Sequence, residues 1–286
     1  MIIIAKVYVT INNNWVIPLG LSYYTFRNIH YTIEVYKGKI QQENLLHYLA
    51  YNFFLPSFIV GPINRYHDFI KDWNRRRFNK DQFSLGLERI LYGSSKIIIL
   101  GNYFFTLKAN QFIENIDSKY VWLKTFLETS CFILNGFFKF AGYSDIAIGL
   151  SLLLGFRIME NFNYPFFATN MRDFWSRYHI SLSSFCKDYI YTPIASHTRN
   201  ATKAIIITMI VIGLWHEISI RYILWGIFQA IGIYSSSFIK INSNSFIAQY
   251  AGRLFVFVFF AFSCVIVSHD TLTEAINTYK ILFFLK

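Results

Sequence analysis

The chain has 286 residues, of which 54% are hydrophobic, 20% aromatic and only 15% charged. Soluble domains carry about 25% charged residues, so this composition, with 31 Phe and 20 Tyr, excludes an ordinary soluble protein and predicts a single membrane domain over 1–286. A net charge of +11 on so apolar a chain fits Lys and Arg gathered in cytoplasmic loops beside anionic membrane lipid, and argues against nucleic acid as a partner.

Residues 1–14 read as a short lead. Asn12-Asn13-Asn14 stands where a secretory signal would carry a small-residue cleavage site. Residues 15–36 are apolar and aromatic, interrupted by Arg27 and His30, and predict a tilted or partly re-entrant helix or an ordinary span end. The next apolar segment, 45–63, closes on Pro56 and Gly61-Pro62, which break helices. Six basic residues against Asp68 and Asp72 then fill 65–80, a cytoplasmic segment by the positive-inside rule. Arg65, beside the Gly-Pro break, is a candidate site or structural residue. Arg75, Arg76 and Arg77 read as topology and lipid contact.

Residues 85–107 predict a helix, Asn110–Lys119 a loop and 120–135 a further span. The stretch 137–156 carries Gly142, Gly149 and Gly155 just after Gly136, and such small residues let membrane helices pack closely. Asp145 lies within it. An acid at membrane depth is a functional candidate by default, although a partnered structural acid is commoner.

A loop around Pro165 follows. Asn170 then reads as an N-cap, with Asp173 three residues on. The helix after it is predicted to be amphipathic and continuous. Phe174, Tyr178, Leu182, Phe185 and Tyr189 share one face; Arg172, Ser176, His179, Ser183 and Lys187 form a polar stripe on another. Pro193 is expected to end this region, with a basic loop over 195–203. Ala204–Leu214 is apolar and runs into Trp215-His216-Glu217. Residues 222–238 and 253–268 predict spans, and 271–286 a final short helix. The expected fold class is all-α, a polytopic multi-helix membrane protein with about seven helices at membrane depth.

Several chemistries are excluded by pattern. His216-Glu217 opens like a zinc-protease helix, but Ile220 stands where the second ligand would be. Cys131, Cys186 and Cys264 form no CxxC, so neither a cysteine metal site nor a disulfide framework is expected. The chain has no G-x-S-x-G, no phosphate-binding glycine loop and no His followed four residues later by Asp. What remains is a pair of histidines in apolar surroundings. Neutral imidazole is the side chain best suited to take a proton near pH 7, as a hydroxyl attacking a thioester requires. His216 is expected to be buried, and the residues alone leave its catalytic and structural roles open. Glu217 and Arg221, four apart, are expected to pair on one helix face.

Together the motifs resemble the membrane-bound O-acyltransferase family in its bacterial branch of alginate, peptidoglycan and other polysaccharide O-acetyltransferases and teichoic acid D-alanyl transferases. The matching stretches are Ile17–Phe26, Val60–Tyr66, Gly142–Gly149, Asn161–Pro165, Phe174–Ser183 and Leu214–His216, with residues 137–228 the most diagnostic part. The resemblance implies a buried tunnel, with His216 as the essential histidine and His179 as the second. It also implies supporting or substrate-binding roles for Asp145, Asn163, Trp175, Arg177, Trp215 and Arg65. No metal and no permanently bound cofactor is implied.

An acyl group, acetyl foremost, would pass from acetyl-CoA or an acyl carrier protein to hydroxyls of a polysaccharide or teichoic acid. An extracytoplasmic acyltransferase partner would take part, and the chain would be multi-pass in the bacterial cytoplasmic membrane. The family's N-terminal spans have no counterpart here, and Glu217 stands where the family usually has Gly. A truncated, non-catalytic remnant or accessory membrane protein is therefore the alternative expectation.

Overall fold

The computed structural model describes residues 20–41, 44–238 and 245–284. The expectations for residues 1–14, and the stretch Ile17-Pro18-Leu19 of the first motif, lie outside the described residues. Among the described residues the structure is helical, and its strand-like pairing is an isolated bridge between Phe162 and Tyr178. It divides into two compact units, 1–97 with 139–161, and 98–138 with 162–286.

The first unit begins with α1 (Leu21–Tyr36) and α2 (Leu45–Asn52). Helix α2 ends well before Pro56, so the apolar segment 45–63 is one short helix followed by a turn at Leu55–Ser57 and irregular chain. One face of α1 buries Arg27, His30 and Glu34. Arg27, 1% exposed, donates to the carbonyls of Tyr51 at 3.1 Å and Asn52 at 3.0 Å, and to the hydroxyl of Ser57 at 2.8 Å and that residue's carbonyl. These are carbonyls a helix C-terminus leaves without intrahelical donors. Of the residues that interrupt the apolar pattern, Arg27 thus ties α1 to the end of α2, and His30 Nε2 accepts the Tyr66 N–H at 3.0 Å at the start of the next helix.

The basic segment forms α3 (Tyr66–Arg75). Its Phe69 stacks on Phe156 with centroids 5.0 Å apart, and Phe54 packs on the same ring at 4.8 Å. Burial of such aromatics, with about 0.5–1.5 kcal/mol per ring pair beyond area, holds the core of this unit. Helix α4 (Lys80–Ser95), capped by Asn79, continues through a π-helical stretch, Lys96–Ala109, and a closing turn, Asn110–Glu114. The predicted loop at 110–119 is therefore mostly helical. Residues 120–156 are not two segments either; they form one helix, α5 (Val121–Leu153).

Within the first unit α4 and α5 touch backbone to backbone through two pairs of glycines. A Cβ on Gly93 would lie 2.5 Å from the Gly142 carbonyl oxygen, and one on Gly149 would lie 2.6 Å from that of Gly86. Gly86 and Gly93 are seven residues apart, as are Gly142 and Gly149. The predicted role of Gly142 and Gly149 in close packing is met; a Cβ on Gly136 would meet nothing within 4 Å.

In the second unit, α6 (Met171–Arg177) and α7 (Ile180–Cys186) replace the single amphipathic helix predicted from spacing. A π-helical turn, Lys187–Tyr191, leads into α8 (Thr192–Thr198), which takes in the first part of the predicted basic loop, the last part falling in the helix that begins at Ala201. Pro193 stands in the first turn of α8, directly after the π-helical turn, and does not end a helix there. Helix α9 (Ala201–His216) and α10 (Ile220–Ser235) form a tight hairpin. A Cβ on Gly213 would lie 2.2 Å from the Tyr222 carbonyl oxygen, and one on Gly226 2.6 Å from that of Met209. Helix α11 (Phe246–Ser268) and α12 (Leu272–Leu282), the latter opened by a Thr271–Glu274 capping box, complete the chain.

Among the described residues, Lys80–Glu114 and Phe246–Ser268 are long and apolar enough to cross a membrane, and Ala201–His216 is a shorter apolar helix. The expected seven helices at membrane depth are not reached by this measure. Charged residues inside α5 and the brevity of α2, α9 and α10 account for the difference.

Candidate active site

Six of the eight residues expected at the site fall in the second unit: Asn163, Trp175, Arg177, His179, Trp215 and His216. Asn170 caps α6 as predicted, accepting the Asp173 N–H at 2.9 Å. Asp173 does not reach back to complete a capping box. It pairs with Arg177 at 2.8 Å, so Arg177 is engaged on its own helix. The Arg177 carbonyl accepts the backbone N–H of Asn163 at 2.9 Å. That bond and the Phe162–Tyr178 bridge hold the chain extended at the end of α6.

His179 is the hinge between α6 and α7. Its φ of 48° and ψ of 50° lie in the left-handed region, which costs a non-glycine residue about 1–2 kcal/mol. The reversal swings the imidazole off the predicted polar stripe and into the interior, where His179 is 4% exposed. The aromatic spacing of Phe174 and Tyr178 survives as ring contacts. Phe174 stacks on Tyr178 at 5.0 Å, and both rings meet Phe260 of α11 at 4.7 and 5.3 Å.

His216 ends α9, where a helix leaves carbonyls unbonded and the chain turns away through an extended Glu217. Contrary to the expectation of burial, His216 is exposed. Three rings surround it: Trp215 at 4.5 Å, Tyr222 stacked at 5.8 Å and Trp225 edge-on at 5.8 Å. The Trp215 ring also meets His179 edge-on at 6.1 Å. One indole therefore touches both histidines. Glu217 pairs with Arg221 at 2.9 Å, but not on one helix face as expected: Glu217 is extended after the end of α9 and Arg221 lies in the first turn of α10, so the pair spans the turn next to His216.

A buried polar line lies behind this cluster. Trp175 meets Trp225 edge-on at 6.1 Å and donates its indole N–H to Gln229 Oε1 at 3.2 Å. Gln229 Nε2 donates to Ser263 Oγ at 2.6 Å, and that hydroxyl donates to the Phe260 carbonyl at 2.7 Å. Gln229 and Ser263 are fully buried. Sequence reasoning did not single out either residue. The available signal was a lone amide in the apolar run of α10, since polar groups at such depth are costly unless bonded.

Asp145 and Arg65 belong to the first unit. Asp145 accepts from Arg89 at 2.7 Å and Lys96 at 2.5 Å, and Arg89 also reaches Glu160 at 2.6 Å. Asp145 is thus a partnered acid. Arg65 stands at the N-terminus of α3, its carbonyl accepting the Phe69 N–H at 3.1 Å. Among the described residues no three His, Cys, Asp or Glu side chains gather as a metal site.

Comparison with known proteins agrees with the motifs. The model of the membrane-bound O-acyltransferase family matches residues 4–279. The chain is 31% identical over 272 residues to a Pseudomonas aeruginosa protein named "Probable alginate O-acetylase AlgI", covering 93% of this chain and 52% of that one. It is 30% identical to a Bacillus subtilis teichoic acid D-alanyltransferase over 237 residues, 77% of this chain and 58% of the other. A Helicobacter pylori peptidoglycan O-acetyltransferase is 28% identical over 249 residues, 76% and 47% of the two chains. The chain spans about half the length of the curated relatives it matches. With the family model running across nearly all of it, the chain belongs to the membrane-bound O-acyltransferase family.

Proposed function

We propose that this chain is an O-acyltransferase, multi-pass in the bacterial cytoplasmic membrane, that moves an acyl group, acetyl foremost, from a thioester to hydroxyls of a cell-envelope or exported polysaccharide. The observation that carries this reading is the Trp215 ring in contact with both an exposed His216 and a buried His179. An exposed imidazole can meet a substrate; a buried one beside it can orient or bind. The names of the relatives, probable alginate O-acetylase, teichoic acid D-alanyltransferase and peptidoglycan O-acetyltransferase, support the same class of acceptor.

In the reaction the acceptor hydroxyl attacks the thioester carbonyl carbon while His216 takes its proton. The tetrahedral intermediate collapses, the carbon–sulfur bond breaks, and His216 returns the proton to the departing thiolate. The products are an oxygen ester and a free thiol. General base catalysis of this kind contributes about 10²–10⁴-fold. The donor is acetyl-CoA or an acyl carrier protein reaching the site through a tunnel, and an extracytoplasmic acyltransferase partner completes delivery to the polymer.

The test is ester release by mild alkali from envelope glycan of a deletion strain carrying either the wild-type gene or His216→Ala. Wild type is expected to restore the ester, and the variant, at equal protein level, to leave it absent. Restoration by the variant would remove His216 from the chemistry. Restoration by neither would favour the non-catalytic reading.

A further inference from the structure

In the first unit the end of α3, the start of α4 and the turn after α5 enclose two adjoining cavities. The larger, of about 430 Å³, is walled by Lys71, Arg75, Arg76, Arg77 and Arg157, with Asp68 and Asp72. Five cations against two acids leave an excess of three positive charges. Among the described residues none of these seven side chains is in an ion pair. Asp72 instead accepts the backbone N–H of Arg157 at 2.7 Å, which directs its carboxylate at the chain. Arg76 is held over the Trp73 and Phe156 rings at 4.7 and 5.5 Å, so this guanidinium is positioned before any ligand arrives.

The second cavity, of about 310 Å³, shares the wall of Arg76 to Asn79 and Gln82 but is closed by Phe83, Leu152, Leu153 and Leu154. A basic chamber opening onto an apolar one fits an amphiphile. Sites of about 300–1,000 Å³ hold ligands far larger than a bare phosphate. Guanidinium groups match phosphate oxygens in pairs.

We propose that these cavities are a phospholipid site. An anionic headgroup phosphate sits among Arg75, Arg77 and Arg157, and the beginning of an acyl chain lies against Phe83 and Leu152 to Leu154. The apolar chamber favours lipid over a soluble phosphate as the source of the anion. The proposal stands apart from acyl transfer and does not need it.

Native mass spectrometry of the full chain, released from bilayers of equal phosphatidylglycerol and phosphatidylcholine, tests the site. Wild type is expected to retain phosphatidylglycerol about fivefold over phosphatidylcholine for each engaged cation. The Arg75→Gln/Arg77→Gln variant, and Arg157→Gln alone in case the first does not fold, are expected to lose that preference, whereas Lys119→Gln keeps it. Equal preference in wild type and both site variants would overturn the proposal, leaving only bulk attraction. A second arm uses sodium phosphate in phosphatidylcholine bilayers at matched ionic strength. Stabilisation of wild type by millimolar phosphate without any lipid preference would assign the site to a soluble phosphate and overturn the lipid reading.

Discussion

Trp175 donates its indole N–H to the side-chain oxygen of Gln229 at 3.2 Å, from α6 to α10, with both residues buried. Gln229 in turn holds Ser263 on α11. One amide thus joins three helices behind the histidine cluster. Gln229→Leu leaves the Trp175 N–H without its acceptor, at a cost of about 1–3 kcal/mol. The melting midpoint of the detergent-solubilised protein is expected to fall; an unchanged midpoint would show that the line is not structural.

The left-handed backbone at His179 separates two roles of that residue. Asparagine tolerates this conformation and β-branched residues do not. His179→Asn is expected to melt near wild type, and His179→Val to lose about 1–2 kcal/mol more. Both are expected to lose ester formation on glycan. If Asn and Val melt alike, the hinge is not what holds the site.

Glycine contact between α4 and α5 gives a prediction with its own control. Gly93→Ala drives a methyl group to 2.5 Å from the Gly142 carbonyl, so the helices must part. Overpacking of this kind costs about 1–3 kcal/mol. Gly136→Ala, with open space around its Cβ, is expected to be neutral or to gain up to about 1 kcal/mol from helix propensity. Thermal unfolding of the two variants side by side decides it.

Asp145 is expected to affect stability without affecting chemistry. Asp145→Asn leaves Arg89 and Lys96 facing a neutral amide. Since Lys96 is 37% exposed and Arg89 24%, water offsets part of the loss, and about 1–3 kcal/mol remains of the larger figure for fully buried pairs. Transfer per folded molecule is expected to hold. A fall in transfer with stability unchanged would return Asp145 to the active site.

These elements also mark what the sequence makes legible. The Asn170 cap and the apolar run ending at Trp215-His216 are local signals, and each appears where expected; the Glu217–Arg221 pair forms, but across a turn and not on one helix face. The break at His179 is not signalled. No glycine or proline marks it, and the four-residue spacing of Phe174, Tyr178 and Leu182 runs straight across it in the sequence. The burial of His179 and the exposure of His216 both follow from that reversal and from the hairpin after α9, which depend on contacts distant in sequence. The same is true of Gln229 with Ser263, 34 residues apart. A single amide in an apolar run signals that a partner exists but not which one.

Arg27 is bonded to carbonyls 24, 25 and 30 residues ahead of it. A guanidinium in an apolar setting is costly until those acceptors arrive, and the end of α2 is equally incomplete without it. Arg27 and the end of α2 therefore stabilise each other, and neither is satisfied alone.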